Sequence, residues 1–421
     1  MTLVKTSLLS AIATVIRIIS GFVINKVVAV YIGPSGLALI GQFQNFIGLI
    51  LNISGNALST AITKYTAEHH DDDNKKYRLW SASFKIILPI SVVVSIFIFI
   101  FSSQLSDYLF QTENFAYILK VFAISIPVFL INTLLMAILN GHRDIKKYII
   151  LNIISSVVSL VFVTLLVVYF ALDGALLAHV LGQSIVLIVT LIYTRKESWL
   201  KIENFIVDFK SDEVKKLFGF AVITFTSVSA SSIMMLITRD YLTENFSAQS
   251  AGYWQGIWSL SQVSLSLITM SLSTYLLPTF SGLKDSKLIS NELKKAYLLM
   301  MPIAMGISLF AYLLREPIIL ILFTEQFMPM QELFAWQFVG NVIKVAAWLL
   351  GYLVVAKAMI KTVVVTEVFF AASFILFTIL LTDYYGLIGV TQAYALNSFL
   401  HLITMIFVYH TQIKKKDYSN E

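Results

Sequence analysis

The sequence contains no cysteine, which excludes disulfides and thiolate metal sites. Charge is scarce as well. Of 421 residues, 30 are Lys or Arg and 24 are Asp or Glu, 13% in all, against about 25% in a soluble domain. The six His show no HxH or HxxxH spacing, so neither a metal nor any other cofactor is expected. What fills the chain is apolar: 58% hydrophobic and 13% aromatic residues, with a mean hydropathy of +0.82. No water-soluble fold of this length could hide that much apolar surface, so the chain belongs in a bilayer. Its net charge of +6 then reads as membrane topology, not as a nucleic-acid groove.

Apolar segments of about 20 residues, each long enough to cross some 30 Å of hydrocarbon, recur twelve times. They fall near 8–31, 37–66, 79–102, 116–140, 147–171, 174–194, 215–239, 249–280, 293–314, 333–357, 362–382 and 386–411. Backbone groups cannot stay unpaired in lipid, so these segments must be helices. The first contains Arg17 and is too long and too polar for a cleavable signal peptide, so it is expected to be retained.

Lysine and arginine in the connections orient the chain. Odd-to-even connections hold two cations, Arg239 and Arg315. The termini and even-to-odd connections hold 21: Lys5, Lys75, Lys76, Arg78, Arg143, Lys146, Lys147, Arg195, Lys196, Lys201, Lys210, Lys215, Lys216, Lys284, Lys287, Lys294, Lys295, Lys361 and Lys414–Lys416. By the positive-inside rule both termini are cytoplasmic. The longest outer connection, Arg315–Glu332, spans 18 residues and leaves no room for an enzyme outside the membrane. The longest inner one places Trp199, Ile202, Ile206 and Phe209 at helical spacing among Lys and Glu, the pattern of an amphipathic helix on the inner leaflet, with a plain linker as the alternative.

The halves echo each other. Ile145-Lys146 recurs as Ile360-Lys361, and Asp173-Gly174 as Asp383-Tyr384-Tyr385-Gly386. An even number of helices per half means parallel repeats related by a pseudo-twofold axis along the membrane normal. The expected architecture is an all-α polytopic membrane protein of twelve transmembrane helices in two six-helix bundles. The divisions are 1–195 and 215–413 for the bundles, 196–214 for the amphipathic linker helix and 414–421 for a basic cytoplasmic tail.

Polar residues inside membrane helices are costly, so their positions carry information. In the second segment Asn45, Asn52, Asn56, Ser59 and Thr63 fall within about 60° of arc; in the eighth, Gln255, Gln262, Ser266, Thr269 and Ser273 form an equally narrow stripe. Ser and Thr commonly fasten membrane helices together, but the amides also suit the lining of a cavity for a polyhydroxylated ligand. The tenth segment aligns Gln337, Asn341, Lys344, Trp348 and Gly351 on one face. Lys344 is too deep to snorkel comfortably. Arg17 lies mid-span, while Lys26, Lys64, Lys120 and Lys357 lie nearer helix ends, where snorkelling is the default. Lys85 lies between those cases. Against these cations the interior offers one carboxylate, Glu367, a partner for Lys361 or Lys344 or a site for a coupling proton. Such an excess points to an anionic cargo, with phosphate the natural fit.

Several runs resemble the Wzx-type lipid-linked oligosaccharide flippases: Gly33-Pro34-Ser35-Gly36-Leu37, Gly141-His142-Arg143-Asp144, Tyr275-Leu276-Leu277-Pro278, and the stretch from Leu333-Phe334-Ala335-Trp336-Gln337 through Lys344 to Gly351-Tyr352-Leu353-Val354-Val355-Ala356-Lys357-Ala358. The similarity covers essentially the whole chain, and 333–358 looks especially like the flippases for O-antigen units and enterobacterial common antigen. It implies the fold of the multidrug/oligosaccharidyl-lipid/polysaccharide exporter superfamily, two six-helix bundles alternating between inward- and outward-open. It also implies undecaprenyl diphosphate carrying a short oligosaccharide as cargo, moved to the outer leaflet of the bacterial inner membrane. The family's motif positions map onto Arg17, Lys26, Lys344 and Lys357, without assigning their roles. The resulting expectation gives Arg17, Lys344, Lys26, Lys85 and Lys357 to the diphosphate. Asn45, Asn52, Asn56, Gln255, Gln262, Gln337, Asn341 and Trp348 go to the glycan, and Glu367 to coupling. The resemblance leaves open a complex with a polymerase or chain-length regulator, and the chain is expected to work as a monomer. An ion-coupled multidrug or cation antiporter of the same superfamily is the alternative; a single mid-span carboxylate argues against it.

Overall fold

In the computed structural model the described residues are 3–142, 144–209, 211–283 and 285–413, and every regular element among them is helical. The expectations for Arg143, Lys210, Lys284 and the tail 414–421 lie outside them. The first half carries α1 (Leu3–Tyr31), α2 (Gly33–Ile53), α3 (Ser59–Glu68), α4 (Asp73–Ile100), α5 (Ser102–Phe110), α6 (Ala116–Gly141) and α7 (Ile145–Thr194). The second carries α8 (Ser211–Asn245), α9 (Ala248–Ser271), α10 (Leu277–Gly282), α11 (Ser286–Leu313), α12 (Arg315–Leu322), α13 (Phe334–Ala356), α14 (Ile360–Tyr385) and α15 (Ile388–Val408). Among the described residues, ten helical stretches are long and apolar enough to cross a membrane. The chain is a multi-pass membrane protein.

Local chemistry sets the helix ends. Asp72, Asp144, Ser247 and Asp285 each accept a backbone N–H of the following turn and so start α4, α7, α9 and α11. Although α7 is 50 residues long, it breaks at Ala171, with φ 48° and ψ −122°. Residues 166 and 174 would lie about 12 Å apart along a straight helix. Here a Cβ on Gly174 would come within 1.9 Å of the Leu166 carbonyl oxygen; the chain folds back on itself. The same device recurs 215 residues later. Gly386 has φ 62° and ψ −150°, and a Cβ on Gly389 would come within 2.4 Å of the Leu381 carbonyl.

The segment 37–66, expected as one span, is two helices. α2 ends at Ile53, Gly55 takes φ 126°, and a 3-10 turn over Asn56–Leu58 leads into α3. The eighth segment is likewise interrupted, by a π turn at Leu272–Leu276 between α9 and α10.

The linker also departs from expectation. Before α8 begins, its only regular element among the described residues is a 3-10 turn at Ile202–Phe205. The reason is tertiary: its aromatics turn inward onto the bundle instead of forming a stripe toward lipid. Trp199 is buried, with its ring 6.1 Å from Trp80 and 5.8 Å from His142, and Phe205 stacks on Trp80 at 6.0 Å. Ser81 donates to the Val207 carbonyl, and Lys147 bridges to Glu197 at 2.7 Å.

Two compact units emerge. The first holds the chain up to Ile32 together with Leu39–Ser232; the second holds Gly33–Ala38 together with the chain from Ile233 onward. In the first, α6 packs on α3, α4 and α7, with Trp80, Ile98, Ile118 and Ile126 fully buried. In the second, α13 packs on α9, α11 and α15, and Phe280, Ile289, Leu349 and Leu353 form part of its core.

Candidate functional site

Three helices of the second unit bring titratable groups together. α13 supplies Lys344, half-buried, whose Nζ lies 5.9 Å from the centre of the Trp348 ring one turn on. From α15, His401 places Nδ1 3.5 Å from that Nζ. Its imidazole also packs 4.7 Å from the Phe370 ring of α14. Glu367, on the exposed side of α14, is beyond ion-pair distance of Lys344, yet the two charges act on one another. Two positive charges 3.5 Å apart would repel by about 5 kcal/mol at an effective dielectric constant of about 20. Lys344 and His401 therefore share one positive charge, not two.

One turn and two turns from Lys344 toward the N-terminus of α13, Asn341 and Gln337 are buried. Ser261 of α9 and Tyr394 of α15 donate to Asn341 Oδ1, at 2.6 and 3.1 Å, and Gln337 donates to Ser261 at 3.1 Å. These amides, expected to line a cavity, instead tie three helices together. Among the described residues Gln337 Oε1 and Asn341 Nδ2 have no partner, so the network is only partly satisfied.

The other expected site residues scatter. Asn52 is 1% exposed and donates to the Phe225 carbonyl at 3.0 Å and to Ser229 at 2.9 Å, fastening α2 to α8. Asn45 bonds back to the Gly41 carbonyl at 2.8 Å. Asn56 lies in the 3-10 turn, off the straight stripe the sequence suggested. Gln255 accepts from Arg239, whereas Gln262 is exposed. Lys85 reaches the Ile206 and Val207 carbonyls at 3.4 and 3.3 Å and covers the Phe209 ring at 5.5 Å. Lys357 donates to the Leu283 carbonyl. Lys85 and Lys357, two of the five cations expected on the diphosphate, thus hold backbone of their own unit. Arg17 is exposed midway along α1, and Lys26 is half-buried two and a half turns on.

Two residues escaped the sequence reading. His401 carries no motif, and only the packing of α15 on α13 reveals it. Arg239, expected in an outer connection, lies inside α8, which runs on to Asn245. It is 1% exposed and sits 5.6 Å from the Trp254 ring. The polar run Thr238–Asn245 looked like a loop; its helical continuation was the signal missed.

A family model described as "Polysaccharide biosynthesis protein" matches residues 3–284. The chain is 31% identical over 401 residues to the lipid III flippase of Escherichia coli strain K12, covering 94% of this chain and 95% of that protein. The lipid III flippase of Shigella flexneri matches to the same extent. Among solved structures, an inward-facing multidrug resistance MATE family transporter of the MOP superfamily superposes with a TM-score of 0.80 at 14% identity, covering 94% of each chain. A lipid II flippase in an inward closed conformation gives 0.75 at 16% identity, covering 97% of this chain and 88% of that one. The solved structures establish the fold, that of MOP superfamily transporters. The sequence matches establish descent: this chain belongs to the polysaccharide biosynthesis protein family.

Proposed function

We propose that this protein is a flippase. It carries undecaprenyl-diphosphate-linked oligosaccharide units, of the O-antigen or enterobacterial common antigen kind, from the cytoplasmic to the periplasmic leaflet of the bacterial inner membrane. The observation that carries this reading is the match to the lipid III flippases along nearly the full length of both chains. The composition of the helices agrees with it. Cations outnumber carboxylates at mid-span, which suits an anionic headgroup and disfavours a carrier of organic cations.

The architecture proposed is twelve spans in two six-helix bundles, 1–195 and 215–413, with both termini cytoplasmic. Counting supports it. The ten apolar stretches include α7, which provides a span on either side of Ala171. α9, the π turn and α10 together have the length of a span, though not the apolarity. The mechanism proposed is alternating access by rocking of the bundles, with no covalent step and the lipid tail left in the bilayer. Arg17 and Lys344 neutralise the diphosphate; Lys26, two and a half turns along α1 from Arg17 and so on its opposite face, would join them only if the helix bent. Asn45, Asn56, Gln262 and Trp348 remain for the glycan. Lys85 and Lys357 would first have to release the carbonyls they hold.

Cells provide the test. A strain lacking this protein and its paralogues is expected to accumulate lipid-linked oligosaccharide facing the cytoplasm and to lose surface glycan. Lys344→Ala and Arg17→Ala are each expected to reduce complementation at least about tenfold, the loss of one charge-assisted contact. Normal surface glycan in both variants would overturn the assignment of those residues; normal glycan in the null strain would overturn the function.

A further inference from the structure

His401 has no part in the cargo site just described, yet it stands against the ammonium assigned there to the phosphates. Its Nδ1 lies 3.5 Å from Lys344 Nζ, and its ring rests on Phe370. Nδ1 either accepts a hydrogen from the ammonium or carries a proton of its own; it cannot do both. While Lys344 is charged, the imidazole proton therefore sits on Nε2. A second proton on the ring would set two cations in contact where the dielectric constant is low.

The neighbours are few. From α13 the ring meets Lys344, and from α14 the carboxylate of Glu367 acts on the same ammonium. The 3-10 turn Glu325–Leu333 and the π turn Tyr409–Ile413 also pack on α15. Among the described residues neither brings a charge that acts on the imidazole.

Resting on the diphosphate reading above, we propose that Lys344 and His401 form a linked site for an anion and a proton, in which His401 takes up a proton as the cargo phosphate engages Lys344. Phosphate oxygens accept from Nζ in place of the imidazole. The hydrogen bond to Nδ1 is given up, and the anion cancels the repulsion that kept the ring neutral. Nδ1 then binds a proton from water, and no other bond is made or broken. Proton and anion bind cooperatively, since each lowers the cost of the other. The cargo is held by two adjacent cations where the empty site holds one.

The test uses the full-length protein in detergent with farnesyl diphosphate as the probe, titrated calorimetrically in two buffers of different ionisation enthalpy. Wild type is expected to take up close to one proton per diphosphate bound near neutral pH, and its Kd to fall up to about tenfold for each unit the pH is lowered through the imidazole range. His401→Asn should still bind but lose most of the uptake and the pH slope. Lys344→Arg, which keeps the charge, should retain both, and Glu367→Gln should retain the part due to His401. Undiminished uptake in His401→Asn would overturn the proposal, as would wild-type binding without uptake. If His401→Asn does not run as a single species on size exclusion, the wild-type slope alone decides. Binding without proton uptake would leave the flippase reading standing; no binding by wild type would sink both.

Discussion

Ala171 adopts φ 48° and ψ −122°, a region a side chain enters only under strain, which is typically worth about 1–3 kcal/mol. The position that matches it in the second half, Gly386, is a glycine with nothing within 4 Å of a would-be Cβ. Ala171→Gly is therefore expected to stabilise the protein by about 1 kcal/mol after allowance for the greater freedom of glycine in the unfolded chain. Thermal unfolding in detergent reads this as a raised midpoint; an unchanged or lowered midpoint would mean that the turn is not strained. At this scale the sequence told much about which residues are unusual and little about what they touch. Lys344 stood out because a mid-span ammonium has few innocent explanations, and it does meet a polar cluster. Asn52, Gln337 and Asn341 stood out equally, yet they bond to neighbouring helices. A single helical stripe looks the same whether its amides face a cavity or another helix. His401 was invisible because one histidine in an apolar helix becomes informative only once its neighbour is known.

Among the elements, the linker shows most clearly why periodicity misleads. Trp199, Ile202, Ile206 and Phe209 are spaced like a helix face, but Trp199 is buried against Trp80 and His142 while Ile202 is 77% exposed. Aromatic packing on α4 and the His142 ring fixes the strap where local propensity would have made a helix. That packing has a consequence for pH. Burial between the two indoles, reinforced by the positive charge of Lys76, holds the His142 imidazole below its usual pKa of 6.5. The released strap leaves His142 free to bind a proton that the packed form resists. The packing is therefore fully favourable above about pH 6.5 and weakens as the pH falls from there toward the lower, packed-state value. The ratio of the trypsin cleavage rate at the exposed Lys196 and Lys201 at about pH 5.5 to that at about pH 7.5 is expected to be larger in wild type than in His142→Phe, a comparison that cancels the pH dependence of trypsin itself. Equal ratios in the two proteins would show that His142 does not set the packing.

For the whole molecule, the halves match more closely in structure than in sequence. Asp72 and Asp285, which start α4 and α11, lie 213 residues apart, as do Pro89 and Pro302 inside those helices. Ala171 and Gly386, and Gly174 and Gly389, lie 215 apart. The charge asymmetry of the connections was enough to propose twelve spans, because it counts many residues at once. The interruptions at Gly55 and Leu272–Leu276 were not legible, because a break inside a membrane helix need not change its composition. Topology can be tested directly, since the chain has no cysteine and every introduced thiol reports alone. Positions 74, 114, 203, 245, 287 and 384 are exposed in the connections or at the helix ends beside them. With twelve spans and cytoplasmic termini, an impermeant maleimide added to intact spheroplasts is expected to label Asn114→Cys, Asn245→Cys and Tyr384→Cys at once. Asn74→Cys, Glu203→Cys and Lys287→Cys should label only after the membrane is opened. If α7 crossed the membrane once instead of turning back at Ala171, every position after it would exchange sides while 74 and 114 kept theirs. Labelling of Glu203→Cys and Lys287→Cys from outside would therefore refute the fold-back at Ala171 and, with it, the division into two equal halves on which a rocking mechanism depends.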